Sequence, residues 1–491
     1  MNDRTRLAVD IGGTFTDLAL EHPGGLATTK VLTTSGAPEE GVMSGVRTIL
    51  AEAGLAPSDI RLVIHGTTLA TNAIIERKGA RTAFVTTEGF RDVLALRNES
   101  RYDQYDLNIA LPEPLVPRRL RLTVPERLDR QGRVLLPLDE AAVRALAPYL
   151  ERQEVESIAV GFLHGFVDPK HERRTAEILA ERLPGVPISL ASEVSPEMRE
   201  WERFSTTVAN AYVQPLMARY LRGLERDLRE MGIAAPILMM LSGGNLTTID
   251  TACCFPIRLV ESGPAGGAIF SASVARESGL GQVLSFDMGG TTAKVCLIDD
   301  FSPQASRSFE VARVGRFKKG SGLPLRIPVI EMVEIGAGGG SIARIDQMGR
   351  ITVGPESAGS EPGPASYGRG GTEPTVTDAN LLLGRLDAQN FLGGEMQLDP
   401  ERARAAMVNR IAEPLGYGGS DAAMQAAKGV LTIANLTMSS IIKKISIARG
   451  YAPRNFALFC YGGGGPLHGI ELARALKIPR VIVPPEPGNF S

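Results

Sequence analysis

The sequence predicts a duplicated α/β fold in which two related lobes face one another across a ligand cleft. Short apolar strands alternate with helical patterns along the chain, as in α/β proteins. A strand followed by two glycines and a threonine occurs twice, in 8–20 and again in 285–297. The chain of 491 residues is long enough for two or three domains.

The repeated pattern is the basis for predicting that the two lobes arose by duplication. In each copy an aspartate ends an apolar strand, Asp10 in the first and Asp287 in the second, an offset of 277 positions (287 − 10). A Gly-Gly-Thr turn and a second apolar strand then follow. We place the boundary between the lobes within 185–200, which gives an N-terminal domain 1–190 and a core domain 191–491.

The elements follow from hydrophobic periodicity and turn residues. Strands are predicted at 7–10, 62–64, 82–85, 157–162, 236–241, 283–287, 295–298, 456–460 and 481–483. Helices are predicted at 39–53, 68–78, 139–150, 169–182 and 421–448, and at 201–231 with an interruption at Pro215. Residues 98–133 are interpreted as a loop or small insertion outside the core, and 336–371 as an ordered glycine-rich loop containing two short strands.

The two hairpins have the composition of phosphate-binding turns. Glycines allow a phosphate to approach the backbone N–H groups, and threonine hydroxyls add donors. The candidate phosphate ligands are Gly12, Gly13, Thr14, Thr16, Gly289, Gly290, Thr291, Thr292 and Lys294. Asp10 and Asp287 are the candidate Mg²⁺ ligands, because Mg²⁺ is usually bound by one or two carboxylates plus phosphate oxygens. Asp17, the counterpart of Lys294, is a candidate for orienting water or metal.

A third glycine cluster, Gly462, Gly463, Gly464 and Gly465, lies between a predicted strand and a predicted helix. This order favours close approach of a nucleotide base or ribose, with the helix N-terminus favouring an anion. The cluster is neither a Walker A loop nor a Rossmann fingerprint. The loops 242–245 and 261–267 either line the same ligand or are plain turns.

Composition excludes some classes of function. The formal net charge of −2 argues against a general nucleic-acid or membrane-surface binder. The four cysteines form no CxxC pair and are interpreted as buried thiols. No signal sequence precedes the first strand and no membrane-length apolar run is seen, so we expect a soluble, cytoplasmic protein. His65, after a predicted strand end, is a candidate catalytic residue for proton transfer or substrate orientation, or else a cap for the next helix.

These motifs resemble the hydantoinase A/5-oxoprolinase family over nearly the whole chain. The resemblance rests on Asp10–Asp17, His65–Asn72, Thr87–Asp92, Ser262–Gly267, Asp287–Thr292, Gly336–Ala343, Val353–Gly359, Glu361–Ala365, Asp378–Asn380 and Gly462–Gly465. It implies an actin-like, sugar-kinase-like ATPase fold with ATP and Mg²⁺ as cofactors. It also implies a cyclic-amide substrate such as a hydantoin, 5-oxoproline or another lactam.

The resemblance carries two further expectations. Family members usually act with a second, B-type subunit, so we expect a hetero-oligomer. Their large subunits continue for about one more domain beyond the position of Ser491, so we expect the usual C-terminal domain to lie outside this chain. Two other functions stay open: a subunit of an ATP-dependent acetone or acetophenone carboxylase, and a non-enzymatic nucleotide switch or filament.

Overall fold

The computed structural model describes residues 5–12, 15–33, 38–99, 101–315, 318–391, 394 and 396–489. The chain divides into two compact units. The first comprises Met1–Ala265 and Ala305–Val329, and the second comprises Gly266–Gln304 and Ile330–Ser491. Residue 190, the predicted domain boundary, lies within the first of these units.

The strands that build both units begin and end as follows. They are β1 (Arg6–Ile11), β2 (Phe15–His22), β3 (Gly25–Leu32), β4 (Leu62–Thr67), β5 (Thr82–Thr87), β6 (Arg121–Val124), β7 (Arg127–Leu128), β8 (Val134–Leu136), β9 (Ser157–Gly161), β10 (Ile188–Leu190), β11 (Ile237–Met240) and β12 (Leu246–Thr248). They continue with β13 (Gln282–Met288), β14 (Ala293–Asp299), β15 (Ser302–Pro303), β16 (Ala305–Ser306), β17 (Phe309–Val311), β18 (Leu323–Leu325), β19 (Val329–Ile330), β20 (Met332–Ile335), β21 (Ser341–Ile345), β22 (Ile351–Ser357), β23 (Ala457–Tyr461) and β24 (Arg480–Ile482).

The helices alternate with these strands. They are α1 (Pro38–Ala53), α2 (Leu69–Ile75), α3 (Val93–Leu96), α4 (Glu140–Arg152), α5 (Lys170–Arg182), α6 (Ala191–Val194), α7 (Glu200–Glu230), α8 (Ile249–Cys254), α9 (Ser262–Glu277), α10 (Val376–Leu382), α11 (Pro400–Met407), α12 (Ala422–Ala448) and α13 (Gly465–Leu476). The alternation confirms the predicted α/β class.

The first unit contains two sheets. In the six-stranded sheet, ordered β12-β11-β4-β1-β2-β3, the strand β1 pairs antiparallel with β2 and parallel with β4. Its buried face, which includes Leu7, Val9 and Ile11, packs with α1 and α7 in one apolar core. The four-stranded sheet β10-β9-β5-β6 is entirely parallel and has its own core.

The second unit also has a six-stranded sheet, in which the order β24-β23-β13-β14 repeats the order β11-β4-β1-β2 of the first unit. Here β13 pairs antiparallel with β14 and parallel with β23, which in turn pairs parallel with β24. On its outer side β14 pairs with β15 and β20, as β2 pairs with β3 in the first unit. In both units an antiparallel hairpin thus joins parallel strands on one side, which confirms the predicted duplication.

Three sequence-based expectations need correction. The helix predicted to break at Pro215 is one continuous helix, α7, because apolar residues buried on both sides of Pro215, such as Val213 and Met217, offset the roughly 3 kcal/mol cost of an internal proline. The segment 98–133 supplies a core strand, β6, with Leu120 and Val124 buried. Strand β4 continues three residues past its predicted end at Ile64, because β1 and β11 pair with it on both sides.

Helix α12 is the only helix in the described part of the chain that is long and apolar enough, by length and composition, to cross a membrane. Long core helices pass the same test. Here α12 packs against α10 and α13, and side chains such as Val430, Leu431 and Met438 are buried in the core of the second unit. Its apolar composition is therefore explained by its position in that core.

Candidate functional site

Asp10 lies at the carboxyl end of β1, where both neighbouring strands approach it. In the register of the sheet it is opposite Asp17 on β2 and Gly66 on β4. The carboxyl ends of parallel strands are the usual ligand-binding edge of α/β sheets. The fold therefore brings the predicted candidates Asp10 and Asp17 together.

His65 and Thr68 form hydrogen bonds to backbone carbonyl groups at the end of β1. One ring nitrogen of His65, Nδ1, lies 3.1 Å from the carbonyl oxygen of Val9. The backbone N–H and the hydroxyl of Thr68 both donate to the carbonyl of Ile11, at 3.0 and 3.1 Å. The two residues that flank Asp10 are thus fixed from the neighbouring strand.

Two glycines leave room for the carboxylate of Asp10. A Cβ added to Gly66 would stand 2.4 Å from Oδ1 of Asp10, and one added to Gly263 would stand 2.9 Å from Oδ2. The hydroxyl of Ser262 accepts from the N–H of Thr67 and donates to its carbonyl, both at 3.2 Å, which brings Gly263 against the carboxylate. Residues 66, 67, 262 and 263 therefore form a close-fitting cradle around Asp10, and the role of Ser262 and Gly263 in it was not predicted.

Asp17 is partly neutralised in this structure. Its carboxylate lies 2.7 Å from Nζ of Lys30, the residue opposite it on β3. Burial raises the pKa of Asp17 above its ordinary value, while the charge of Lys30 opposes that shift. Two carboxylates opposite one another on one face of a sheet repel, so a cation beside them is stabilising.

Of the other predicted ligands in the first hairpin, Thr16 is buried and Gly12 accepts a hydrogen bond from a neighbouring strand end. Thr16 is fully buried, and its hydroxyl lies 3.0 Å from that of Thr33, which also donates to the carbonyl of Gly12 at 3.1 Å. Thr16 is therefore linked to the backbone of Gly12 through the hydroxyl of Thr33, a residue that was not predicted to take part. Gly13 and Thr14 lie outside the described residues.

Asp287 occupies the equivalent position in the second unit. It lies near the end of β13, opposite Lys294 on β14, and its side chain is 8% exposed. A Cβ added to Gly462, which follows the parallel strand β23, would stand 2.3 Å from its Oδ1. Burial raises the pKa of Asp287 to about 6, with Lys294 opposing the shift. As with Asp10, a glycine beside the neighbouring strand accommodates the carboxylate.

The turn of the second hairpin rests on the glycine-rich loop 336–340. The N–H groups of Gly339 and Gly340 donate to the carbonyls of Gly289 and Gly290, at 3.1 and 2.7 Å. A Cβ added to Gly338 would stand 2.5 Å from the backbone carbon of Thr291. Gly338 is therefore required by close backbone contact, which the sequence alone did not indicate.

The third glycine cluster is attached to the same hairpin. The N–H of Gly464 donates to the carbonyl of Met288 at 2.8 Å, and Gly462 adopts a left-handed φ of 76°. The cluster ends where α13 begins at Gly465. In the second unit the structure thus brings the predicted residues Gly289, Gly290, Thr291, Lys294 and Gly462–Gly465 around Asp287.

A buried polar network fixes α13 behind this cluster. Nδ1 of His468 lies 2.7 Å from Oδ1 of Asn435 on α12, and its Nε2 lies 3.4 Å from the amide nitrogen of Asn380 on α10. Burial lowers the pKa of His468 to about 4, so the ring is neutral near pH 7. Sequence analysis missed this histidine, whose neutral ring ties three helices together.

The two hairpins differ in the order of their charged residues although their backbones correspond. Reading across three paired strands, the residues are Asp10, Asp17 and Lys30 in the first unit and Asp287, Lys294 and Glu334 in the second. The first hairpin therefore places two carboxylates side by side, whereas the second places a lysine beside its aspartate. The aspartate of either hairpin suits a divalent cation, and the lysine opposite Asp287 also suits an anionic phosphate.

The donor set fits magnesium with a polyphosphate better than a protein-only metal cage. No group of three or more His, Cys, Asp or Glu side chains able to hold a metal occurs among the described residues. Mg²⁺ is usually held by one or two carboxylates, with phosphate oxygens and water completing its shell. The glycine-lined carboxylate of Asp10 in the first unit and that of Asp287 in the second each offer one such ligand.

Sequence comparison assigns the family. The family described as Hydantoinase/oxoprolinase matches residues 203–491, and its N-terminal region matches residues 6–183. The class of protein that this fold defines is a two-unit α/β protein in which each unit carries an Asp-X-Gly-Gly-Thr sequence, where X is Ile11 or Met288. The chain belongs to the hydantoinase/oxoprolinase family.

Particular relatives are similar over almost the whole chain. The caprolactamase subunit alpha of Pseudomonas jessenii is 37% identical over 98% of this chain and 68% of its own length. The acetophenone carboxylase gamma subunit of Aromatoleum aromaticum is 34% identical over 97% of this chain and 65% of its own length. The 5-oxoprolinase of Saccharomyces cerevisiae is 32% identical over 97% of this chain and 40% of its own length.

Solved structures agree with the fold. The crystal structure of the ATP-dependent caprolactamase from P. jessenii matches with a TM-score of 0.85 at 36% identity, over 99% of this chain and 69% of that chain. A nucleotide-free acetone carboxylase structure matches with a TM-score of 0.83 at 28% identity, over the same shares of the two chains. These similarities confirm both the predicted family and the predicted fold.

Proposed function

We propose that this chain is the ATP-hydrolysing subunit of a cyclic-amide hydrolase that opens a lactam, a hydantoin or 5-oxoproline. The observation that carries the proposal is the pair of aspartates, Asp10 and Asp287, each at a strand end and each accommodated by glycines of neighbouring segments. Membership of the hydantoinase/oxoprolinase family supports it.

The residues of each hairpin have distinct roles in this proposal. Asp10 in the first unit and Asp287 in the second are each proposed as a Mg²⁺ ligand, and Asp17 is proposed to orient water or metal beside Asp10. The turn residues Gly12, Gly13, Thr14, Gly289, Gly290, Thr291 and Thr292, with Lys294, bind phosphate groups. Gly462–Gly465 lie against the adenosine part of the nucleotide. When bound, Mg-ATP supplies the phosphoryl group that makes the amide carbonyl a good electrophile.

Positioning and neutralisation of charge are the main contributions of the chain itself. Phosphoryl transfer needs few covalent steps from the protein and depends on how the reacting groups are held. The cradle around Asp10 is bounded by close backbone contacts, and the turn at Gly289 and Gly290 is held by backbone hydrogen bonds. They can hold charged groups without reorganisation during the reaction.

The experiment is a comparison of wild type with Asp10→Asn and Asp287→Asn. ADP release is measured with Mg-ATP and a panel of lactams, hydantoins and 5-oxoproline, with the native partner subunit present. We expect amide-stimulated ADP release in the wild type and a loss of at least 100-fold in each variant, with thermal unfolding within a few degrees of wild type. Wild-type rates in either variant contradict the assignment.

The matched control replaces another acid by its amide. Glu181 is an exposed residue of α5, and Glu181→Gln should leave ADP release unchanged. A similar loss in this control would show that the assay reports general damage instead of the loss of a ligand.

A second candidate is a subunit of an ATP-dependent ketone carboxylase. The similarity to acetophenone and acetone carboxylase subunits over 97% and 99% of the chain favours it. The same residues would bind the nucleotide, and only the acceptor would differ. Bicarbonate-dependent ADP release with acetone or acetophenone, and none with cyclic amides, would select this alternative.

A partner subunit is part of the proposal. Three of the relatives are named as subunits, alpha, beta and gamma, of their enzymes. We therefore infer a hetero-oligomer in which this chain acts with a B-type subunit. Co-purification from the native host, followed by mass spectrometry of the bound chain, tests this inference.

A further inference from the structure

We propose that His65, together with Tyr220, is a positioning residue for Asp10 and takes no part in proton transfer. The proposal rests on the function proposed above and assigns a role to a side chain that lies inside the core. His65 is 0% exposed, and both of its ring nitrogens have partners within the first unit.

The partners determine the tautomer of the ring. The carbonyl oxygen of Val9 can only accept, so Nδ1 of His65, 3.1 Å away, carries the hydrogen and donates it. Nε2 then has a free lone pair, and the hydroxyl of Tyr220 donates to it at 2.8 Å. The chain of hydrogen bonds runs from Tyr220 on α7 through His65 on β4 to Val9 on β1.

The carbonyl that accepts this bond belongs to the peptide group that leads directly into Asp10. Its orientation sets the direction of the next Cα–Cβ bond, from which the carboxylate extends into the cradle. On the far side of Asp10, Thr68 holds the carbonyl of Ile11. His65 and Thr68 therefore hold the carbonyls of Val9 and Ile11, the residues on either side of Asp10. Gly66, between His65 and Thr68 in the chain, leaves room for the carboxylate.

The hydroxyl of Tyr220 can donate to Nε2 only when the ring is neutral. Burial lowers the pKa of His65 to about 4, and burial also raises the pKa of Tyr220 well above its ordinary value. Protonation of Nε2 would remove the lone pair that accepts from Tyr220. Both hydrogen bonds of His65 are therefore made by the neutral form.

This role predicts that substitutions in the His65–Tyr220 pair weaken the binding of Mg-ATP but do not change the pH dependence of turnover. A residue that transfers a proton affects the chemical step and shapes the pH profile, whereas one that orients Asp10 affects how the metal–nucleotide complex is held. Loss of the Tyr220 hydroxyl should weaken that binding without changing the pH dependence of turnover.

The test measures the dissociation constant of Mg-ATP and steady-state ADP release for Tyr220→Phe, His65→Asn and His65→Leu in the full chain. Asparagine places an N–H near the position of Nδ1, so His65→Asn retains the bond to Val9. We expect affinity to fall about 3- to 10-fold in Tyr220→Phe and His65→Asn, and about 100-fold in His65→Leu. The pH profile from 6 to 9 should keep the wild-type shape.

The ring itself can be observed by ¹⁵N NMR of histidine-labelled protein. The chain has five histidines, and the His65 signal is the one missing in His65→Asn. We expect the neutral Nδ1–H tautomer with no titration between pH 5.5 and 8.5. The Nε2–H tautomer, or a titration near pH 6.5, overturns the proposal.

Tyr149→Phe is the matched control for loss of a tyrosine hydroxyl. Tyr149 is on α4, and its hydroxyl donates to the carbonyl of Arg119 at 3.0 Å, so its removal should leave the affinity unchanged. Wild-type affinity for Mg-ATP in both Tyr220→Phe and His65→Leu overturns the positioning role of His65 and leaves the proposed function intact. Failure of the wild-type protein to bind Mg-ATP contradicts the proposed function as well.

Discussion

At the residue scale, the position of the Asp10 carboxylate is decided by the absence of two side chains. Neither Gly66 nor Gly263 has a left-handed φ, so conformational freedom does not explain these glycines. Each is needed because a Cβ would overlap the carboxylate at 2.4 or 2.9 Å. This separates their role from that of a turn glycine such as Gly349, whose φ is 72°.

Gly263→Ala should therefore displace the carboxylate while the backbone stays folded. We expect the dissociation constant of Mg-ATP to rise at least 10-fold and the free energy of unfolding to fall by about 1 kcal/mol, the low end for inserting a methyl group. Isothermal titration and urea denaturation measure the two quantities. Unchanged affinity would show that the cradle does not set the position of the ligand.

Gly223→Ala is the control for this substitution. Gly223 lies inside α7 and a Cβ there meets nothing within 4 Å. Alanine should stabilise the helix by about 1 kcal/mol relative to glycine. Nucleotide affinity should not change, so affinity and stability are expected to move independently in the two variants.

The buried ring of His468 should make the stability of the second unit depend on pH. Burial lowers the pKa of His468 from 6.5 to about 4 on folding. Between pH 4 and pH 6.5 the histidine is therefore protonated in the unfolded chain and neutral in the folded chain. Stability is therefore complete above pH 6.5 and is lost as the pH falls towards 4.

Between pH 7.5 and 4.5 the wild type should lose about 2–3 kcal/mol more unfolding free energy than His468→Asn. Asparagine keeps a donor near Nδ1 but does not titrate. Urea midpoints of both proteins at the two pH values measure the difference. Parallel losses in the two proteins would mean that His468 is not the group responsible.

At the element scale, the loop 336–340 determines whether the second hairpin keeps its turn. Two N–H groups of this loop bind the carbonyls of Gly289 and Gly290. The contact is between backbone atoms, which cannot move aside as a flexible side chain can. The sequence predicted that this loop is ordered, but not that it contacts the turn at Gly289 and Gly290.

Gly338→Ala should disrupt that contact. The added Cβ would stand 2.5 Å from the carbon of Thr291 and 2.7 Å from the oxygen of Gly290. We expect a loss of about 3 kcal/mol in unfolding free energy, the upper part of the range for overpacking, together with loss of nucleotide binding. Gly281→Ala, where a Cβ meets nothing within 4 Å, should be close to neutral.

At the scale of the whole molecule, the two units have separate apolar cores. The cores of the first unit include Leu7 and Phe84, and those of the second include Leu284 and Phe459. Compact regions with their own cores generally unfold as separate cooperative units. Trp201, the single tryptophan of the chain, lies in the first unit and reports on that unit alone.

Leu284→Ala should therefore shift one unfolding transition and not the other. Removal of a large buried aliphatic side chain costs about 2–5 kcal/mol. We expect the far-UV circular dichroism curve in urea to move to lower concentration while Trp201 fluorescence keeps its wild-type midpoint. Leu7→Ala should move the fluorescence transition. Coincident curves in both variants would show a single cooperative unit.

The sequence by itself determined the α/β class, the duplication and most of the elements, because hydrophobic periodicity and Gly-Gly-Thr turns are local signals. It also singled out Asp10 and Asp287, since a polar residue at the end of an apolar strand is visible without any contact, and Asp17 as the counterpart of Lys294 in the repeat.

Only the tertiary structure decided how these aspartates are held. The cradle joins residues 10, 66 and 263, which are far apart in the chain, and the hydrogen bonds of His65 depend on Tyr220, 155 positions away. The continuity of α7 through Pro215 was likewise decided by burial on both sides of the proline. Such contacts depend on packing between distant segments, for which a linear pattern carries no signal.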